Sequence, residues 1–448
     1  MSKTATLELG ALGKLVSPVG GVVSGLERLA PELVRSKDTV TLARLGEVAL
    51  LRDPEAPKRF GVELDGIGCH LDPDVSARIA LMEALERYAA AAGSDRHWVT
   101  SPAIEMGPDA IDLSDIARCS ETETEASDFP LTQWDPAQPL RWTRGWSLVT
   151  GRDVWVPAVM SHLGITPNHP VEHFWLQSSS GCAAATSEEA ALLGACFELI
   201  ERDAVAIAWL RRLPLRRAHP LELESLRCRQ GAADDPDWGW DTVLRTLESD
   251  KDGTDIAVFD ATSDLGVPTA LAVLLPPAGS GLPPAVGAGC SDVSSRAALK
   301  AVREVTVVRA CLWSDSRSDP PAQVPEEAFH HLFPGPASRG QSSRPASAGP
   351  GLVDPRGGLS TSINRRLERV VSILAEESSD VVAVDLTPVE LEGTGVRVVR
   401  VIVPPLIPYL ADTRVRYLAS RRLFEAPRRM GLTSLPTQEV NPWPSPLW

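Results

Sequence analysis

Three segments of this chain keep the same internal ruler. Gly66 lies 17 residues before Glu83, Gly181 lies 17 before Glu198, and Gly287 lies 17 before Glu304. An alanine precedes each glutamate by three positions (Ala80, Ala195, Ala301), and a small residue stands 14 before it (Cys69, Ala184, Cys290). One such match would be chance; three point to a divergent internal duplication. Each segment reads as strand, glycine turn and helix, with the glycine letting the strand turn sharply into the helix. The alanine lets that helix sit close to a neighbour, and the glutamate projects from a fixed point on it. Any fold for this chain must therefore present three related strand–turn–helix units.

Two of the three units go further. "ALMEALER" (80–87) and "ACFELIER" (195–202) both spell Ala-x-x-Glu-x-x-Glu-Arg. Glutamates three apart share a helix face, and a solvated face is the usual reason. Here the flanks are apolar, as in "LLGACFELIERDAVAIAWL", and a helix that is apolar almost all round is buried. Buried carboxylates are costly unless paired or bound to metal. Arg87 and Arg202 can each pair one carboxylate, but Glu83, Glu86, Glu198, Glu201 and Glu304 outnumber them. The expectation is a site where carboxylates from several helices converge on a hard cation, Mg²⁺ above all. Magnesium held by carboxylates usually accompanies a phosphate substrate.

The rest of the chain reads as mixed α/β. Short elements fill residues 1–60, and residues 114–140 are polar and loop-rich. A hairpin around Gly151 and Arg152 occupies 141–162. Buried-strand candidates follow near 256–276, then a helix at 363–377 and two more strands, "DVVAVDLT" and "VRVVRVIVPP". Residues 333–360, rich in Pro, Gly, Ser and Arg, read as a flexible loop.

Composition excludes several functions. A net charge of −15 over 448 residues argues against nucleic acid or an anionic membrane as the main partner. No secretory signal or spanning apolar run is visible, so a cytoplasmic location is expected. The seven cysteines are odd in number, without Cys-x-x-Cys spacing, and read as small buried hydrophobes rather than disulfides or zinc ligands. "GIGCHL" and "GAGCSD" fit neither a P-loop nor a Rossmann fingerprint. His169 and His173 lack metalloprotease context and read as local structure.

"GIGCHLDPDVSARIALMEALERY", "SSSGCAAATSEEAALLGACFELIERDA" and "AALKAVREVTVVRA" together resemble the three helical motifs of the YcaO family. Within it, the chain is similar to the SagD-like cyclodehydratases of thiazole/oxazole-modified peptide biosynthesis. "SPVGGVVSGL", "WSLVTGRDVWVPA" and "VVRVIVPPLIP" fit the same branch. The resemblance implies a YcaO fold, with the three units around a central nucleotide site. It implies a catalytic domain over 61–448, with 1–60 packed on it, and ATP and Mg²⁺ as cofactors. The reaction implied is backbone cyclisation: a peptide Cys, Ser or Thr attacks the preceding amide, whose oxygen is phosphorylated and lost, leaving an azoline.

Carried over by residue, Glu83, Glu86, Glu198, Glu201 and Glu304 match the family's metal and nucleotide glutamates. Arg202 matches its phosphate-facing arginine, Lys300 stands where another arginine is frequent, and Arg87 either orients the first helix or forms a structural ion pair. A further metal glutamate is replaced by Ala190, with Glu189 adjacent as the substitute. The end of the chain, "NPWPSPLW" within a Pro-rich tail over 436–448, resembles the Pro-x-Pro-x-Pro end of azoline-forming members. Pro442, Pro444, Pro446 and Trp448 are thus expected at the catalytic site, because a proline-spaced tail is stiff enough to thread inward. The implied partners are a ribosomally made precursor peptide and a leader-binding protein, with a homodimer as one arrangement. The rival readings are macroamidine or thioamide formation, and a non-catalytic scaffold for precursor or partner.

Overall fold

The computed structural model describes residues 9–34, 38–45, 65–92, 98–218, 255–277, 280, 282–314, 324, 326–329, 332, 362–410, 412–432 and 440–447. The loop expected at 333–360, Cys228 and Trp448 lie outside the described residues. Thirteen strands and five helices of eight residues or more carry the fold, all strand pairs being antiparallel among those described. The chain divides into two compact units. The first comprises Met1–Ile111, Thr132–Ala195 and Val381–Ile402; the second comprises Asp112–Leu131, Cys196–Asp380 and Val403–Trp448.

The first unit contains two sheets. One is β1 (Gly25–Arg28), β2 (Thr39–Arg44) and β3 (Gly66–His70), in that order. The other runs β4 (Val99–Pro102), β5 (Pro139–Ser147), β12 (Val382–Asp385), β13 (Arg397–Ile402), β7 (Cys182–Ala185), with β6 (Asp153–Pro157) paired to β5. The expected hairpin is β5–β6, turning through Gly151 at φ +73°. Helix α1 (Pro73–Ala91) packs on β2 and β3 and also touches β7. Its start is written locally: Asp72 accepts from the backbone N–H of Asp74 at 2.7 Å and Val75 at 3.3 Å, with Pro73 in the first turn. Its buried positions include Ala77, Ala80, Leu81, Ala84, Leu85 and Tyr88, so one helix can serve two sheets.

The second unit is built on the sheet β11 (Ala285–Cys290), β10 (Thr269–Leu275), β9 (Asp255–Asp260), β8 (Arg216–Arg217). Helix α3 (Ser294–Ser314) lies across β11 and β10. Ala297, Ala298, Ala301, Val302 and Val305 pack there with Ile256, Val258, Ala272 and Leu274 in one apolar core. Helix α2 (Glu188–Leu210) carries the second of the repeated glutamate motifs; α4 (Ile363–Glu377) and α5 (Arg422–Arg429) complete the set.

The role expected for the glycines needs correction. Gly66 and Gly287 do not form turns: they lie on β3 and β11 themselves. What demands glycine is the helix backbone pressed against the strand. A Cβ on Gly66 would stand 2.0 Å from the carbonyl oxygen of Ala80, and one on Gly287 2.4 Å from that of Ala301. Gly68 and Gly289, two residues on, are equally closed by Ser76 and Ala297. Successive residues on a strand alternate faces, so Gly-x-Gly clears one whole face for the helix. Only Gly181 behaves as a turn residue, with φ +78° just before β7.

The cysteines are mostly buried, as expected: Cys69, Cys182, Cys196 and Cys290 are inside and Cys119 and Cys311 half-buried, and among the described residues none forms a disulfide. Burial pushes the Cys196 and Cys290 thiols up to about 12, which disqualifies both as thiolate nucleophiles near neutral pH. His169 caps a short 3-10 turn at Pro170–Phe174, consistent with local structure. Among the described residues, no helix is long and apolar enough to cross a membrane.

Candidate functional site

The candidate site is clearest in the second unit, around Arg202. Helix α2 places Glu198, Glu201 and Arg202 within one turn. Glu201 is buried at 9% exposure. Arg202 Nε lies 3.7 Å from Glu198 Oε1, a charge contact too long for a hydrogen bond. Burial works against the Arg202 charge, but Glu201, Glu198 and Glu304 outweigh it and hold its pKa above the ordinary value. Two of its donors, Nε and Nη1, are buried with no hydrogen-bond partner. Burying a guanidinium edge without an acceptor is costly. The geometry suits an arriving anion that can accept two hydrogen bonds.

Helix α3 supplies Glu304, anchored by accepting the backbone N–H of Ala288 at 2.8 Å. Lys300, one turn earlier, is exposed, donates to the Cys290 carbonyl at 3.1 Å and lies 5.7 Å from the ring centre of Phe197.

A small pocket opens beside Arg202, lined by Trp209, Tyr409, Ser445, Pro446 and Leu447 among others. The proline-spaced tail therefore does reach Arg202. It is tied down along its length. Asn441 N–H donates to the Leu210 carbonyl at 2.8 Å, Trp209 Nε1 to the Trp443 carbonyl at 3.3 Å, and the Tyr409 hydroxyl to the Leu447 carbonyl at 3.0 Å. Pro442 is exposed, Pro444 half-buried, Pro446 and Leu447 buried.

Two residues at this site were not anticipated. Tyr409 presents its ring to the Arg202 guanidinium, 5.4 Å from centroid to Cζ. Asp203, next to Arg202 in the sequence, is fully buried and pairs with the equally buried Arg422 at 2.6 Å. Arg422 also binds Asp264 at 2.9 Å. The signal for Asp203 was present: a carboxylate inside "ERDAVAIAWL" must be paired. Its partner, over two hundred residues downstream, was not legible.

The remaining expected residues belong to the first unit. Glu83 accepts the backbone N–H of Ile67 at 2.8 Å and pairs with Arg87 at 2.5 Å. Arg87 also donates to the Asp65 carbonyl, so it serves as a local brace. Glu86 is half-buried on α1, and Glu189 and Ala190 are half-buried in the first turn of α2. Among the described residues no three His, Cys, Asp or Glu side chains gather as a metal-holding group.

Known proteins agree on the architecture. The family described as YcaO cyclodehydratase, ATP- and Mg²⁺-binding, matches residues 67–407. An uncharacterized protein in the tfuA 3' region of Rhizobium leguminosarum bv. trifolii is 30% identical over 266 residues, which cover 56% of each chain. A heterocyclase solved in complex with substrate and cofactor superposes with a TM-score of 0.75 at 24% identity, over 97% of this chain and 56% of that one. The E. coli microcin synthetase McbBCD complex with pro-MccB17 bound gives 0.60 at 13% identity, over 96% of this chain and 99% of that one. At such identities the structural likeness establishes the fold. The chain thus spans little more than half the length of the first two proteins it matches. With a family match running from β3 to the residues just after β13, this chain belongs to the YcaO family.

Proposed function

We propose that the chain is an ATP- and Mg²⁺-dependent cyclodehydratase that converts Cys, Ser or Thr residues of a ribosomally made precursor peptide to azolines. The observation that carries this is Arg202: a buried guanidinium with two unsatisfied donors, set among Glu198, Glu201 and Glu304 beside the seated tail. Those donors fit a phosphate oxygen pair. That no three-carboxylate cage forms among the described residues is no obstacle, because Mg²⁺ keeps several waters and is typically bound by one or two carboxylates plus the substrate's phosphates. Glu201 and Glu304 are the ligands we assign on this unit, with Glu198 beside Arg202.

When bound, ATP with Mg²⁺ supplies phosphorylation of the former amide oxygen, turning a poor leaving group into phosphate. The chain's own part is positioning and charge. Arg202 offers its free edge to phosphate oxygens and stabilises their negative charge without reorganising, since its orientation is already fixed. The flanking glutamates keep it protonated. Trp209, Pro446 and Leu447 exclude water from its apolar side, which strengthens each charge contact. The tail brings backbone carbonyls to this position, where they can accept hydrogen bonds from the peptide and hold it. A precursor peptide and a leader-binding protein are the partners this reading expects; the E. coli microcin synthetase McbBCD complex, similar in fold, was solved with pro-MccB17 bound.

A scaffold without turnover is the second reading. It is favoured by Ala190 in place of a glutamate and by Lys300, whose ammonium is engaged by the Cys290 carbonyl. One assay separates the two: purified protein with precursor, candidate partner, ATP and Mg²⁺. ADP release and loss of one water from the peptide mass are expected, and both should vanish in Glu201→Ala with the fold retained. No nucleotide binding and no mass loss would overturn the enzyme reading.

A further inference from the structure

Tyr409 touches two things that the proposed chemistry needs at once. Its ring lies against the Arg202 guanidinium, and its hydroxyl donates to the Leu447 carbonyl at 3.0 Å. These are separable handles: a tyrosine offers a π-face to a cation and a polar tip to an acceptor. The residue itself is held from behind. Ile407, two positions earlier and fully buried, donates its backbone N–H to Asp203 Oδ1 at 3.1 Å. Asp203 is locked by Arg422. The segment 407–409 is thus pinned to α2 at Asp203 and laid over Arg202, with its tip on the tail.

This arrangement has a mechanical consequence. The ring fixes the plane of Arg202 and so the direction of its two unsatisfied donors. The hydroxyl ties that ring to the seated tail. We propose that Tyr409 is a positioning residue that couples docking of the 440–447 segment to the orientation of Arg202. Anion binding at Arg202 and tail docking then favour each other. The coupling is reciprocal by linkage: whatever stabilises one must stabilise the other. The inference rests on reading Arg202 as the phosphate-binding group.

The test uses the full chain with Tyr409→Phe and Tyr409→Leu, AMPPCP with Mg²⁺ as the probe, and hydrogen exchange of the backbone amides in 440–447. In the wild-type protein, AMPPCP with Mg²⁺ should slow exchange in that segment. Tyr409→Phe keeps the ring but releases the tail, so AMPPCP should weaken about threefold, the same factor by which the probe slows exchange in the wild type, while segment exchange quickens about tenfold and no longer responds to the probe. Tyr409→Leu should lose that response and also weaken AMPPCP about tenfold, the scale of a desolvated cation–π contact. Matching thermal unfolding of the two variants keeps a general loss of fold out of the comparison. A Tyr409→Phe segment that exchanges and responds as in the wild type would overturn the coupling. If the wild type binds no AMPPCP, the phosphate reading fails. The latch is then judged on unliganded exchange alone: acceleration in Tyr409→Phe supports it and no change refutes it.

Discussion

Glu304 accepts the backbone N–H of Ala288 at 2.8 Å. Sixteen residues separate the two, and the first unit repeats the contact at the same separation, with Glu83 accepting Ile67 N–H at 2.8 Å. In both cases the donor is the middle residue of the Gly-x-Gly that lets the helix approach. One carboxylate oxygen of each is thereby held by the strand, and in Glu83 the other binds Arg87. In the third segment the N–H of Cys182 donates to the Ser179 carbonyl at 2.9 Å, and Glu198 lies 3.7 Å from Arg202.

The anchor predicts a split between two substitutions. Glu304→Gln retains an oxygen acceptor for Ala288 and should fold normally while binding AMPPCP–Mg²⁺ at least tenfold more weakly. Glu304→Ala strands the Ala288 N–H and should cost a further 1–3 kcal/mol or so of stability. Urea denaturation beside nucleotide titration reads both; equal stability of the two variants would count against the anchor.

Close approach of helix to strand predicts severe glycine sensitivity. A Cβ on Gly289 would stand 2.2 Å from the Ala297 carbonyl oxygen, a backbone atom that cannot swing aside. Gly289→Ala should destabilise the chain by about 3 kcal/mol, at the upper end for overpacking. Gly151→Ala has open space around its Cβ and costs only the strain of φ +73°. A denaturation midpoint for Gly289→Ala equal to that of Gly151→Ala would refute the packing role.

The Asp203–Arg422 pair should behave as a buried ion pair. Removing one partner, as in Arg422→Leu, leaves Asp203 charged in an apolar surrounding and should cost about 3–5 kcal/mol. Adding Asp203→Leu should recover much of that loss, with Asp264 and Glu377, the other carboxylates on Arg422, left to Arg429. Double-mutant analysis of thermal unfolding measures the recovery. No recovery would mean that Asp203 acts mainly through Ile407.

Acid should loosen the first unit through Glu172. Its two oxygens bind Arg141 Nε at 2.8 Å and Nη2 at 2.7 Å. Burial alone would raise its pKa. The Arg141 guanidinium and the backbone N–H groups of Arg141 and Asn168 outweigh that and hold it below the ordinary value of 4.5. A carboxyl depressed in the folded state contributes stability that is complete above the unfolded pKa and is lost as pH falls through the folded one. Wild-type stability should therefore drop below about pH 4.5 more steeply than that of Glu172→Gln. Parallel slopes in that window would show that the pair contributes nothing to acid sensitivity.

Removing residues 442–448 should weaken AMPPCP–Mg²⁺ binding by only the few-fold of the lost coupling and slow cyclisation by tenfold or more. The pocket beside Arg202 would lose Ser445, Pro446 and Leu447 while Arg202 keeps its glutamates. An unchanged rate in the cyclisation assay would make the tail a packing element.

Much of this protein was legible from spacing alone. The 17-residue ruler located three related segments because a duplicated strand–helix contact must preserve the distance along the chain between touching atoms. The apolar flanks of Glu198 and Glu201 announced burial, and the prolines of the tail announced a stiff segment. Tertiary structure decided what local signals could not carry. Gly66 and Gly287 looked like turn residues, since a sequence shows that a Cβ is missing but not which backbone would collide with it. Asp203 called for a cation without naming one, because Arg422 becomes its neighbour only after the chain has closed on itself. Tyr409, with nothing unusual in its sequence surroundings, became part of the site solely by lying between Arg202 and Leu447.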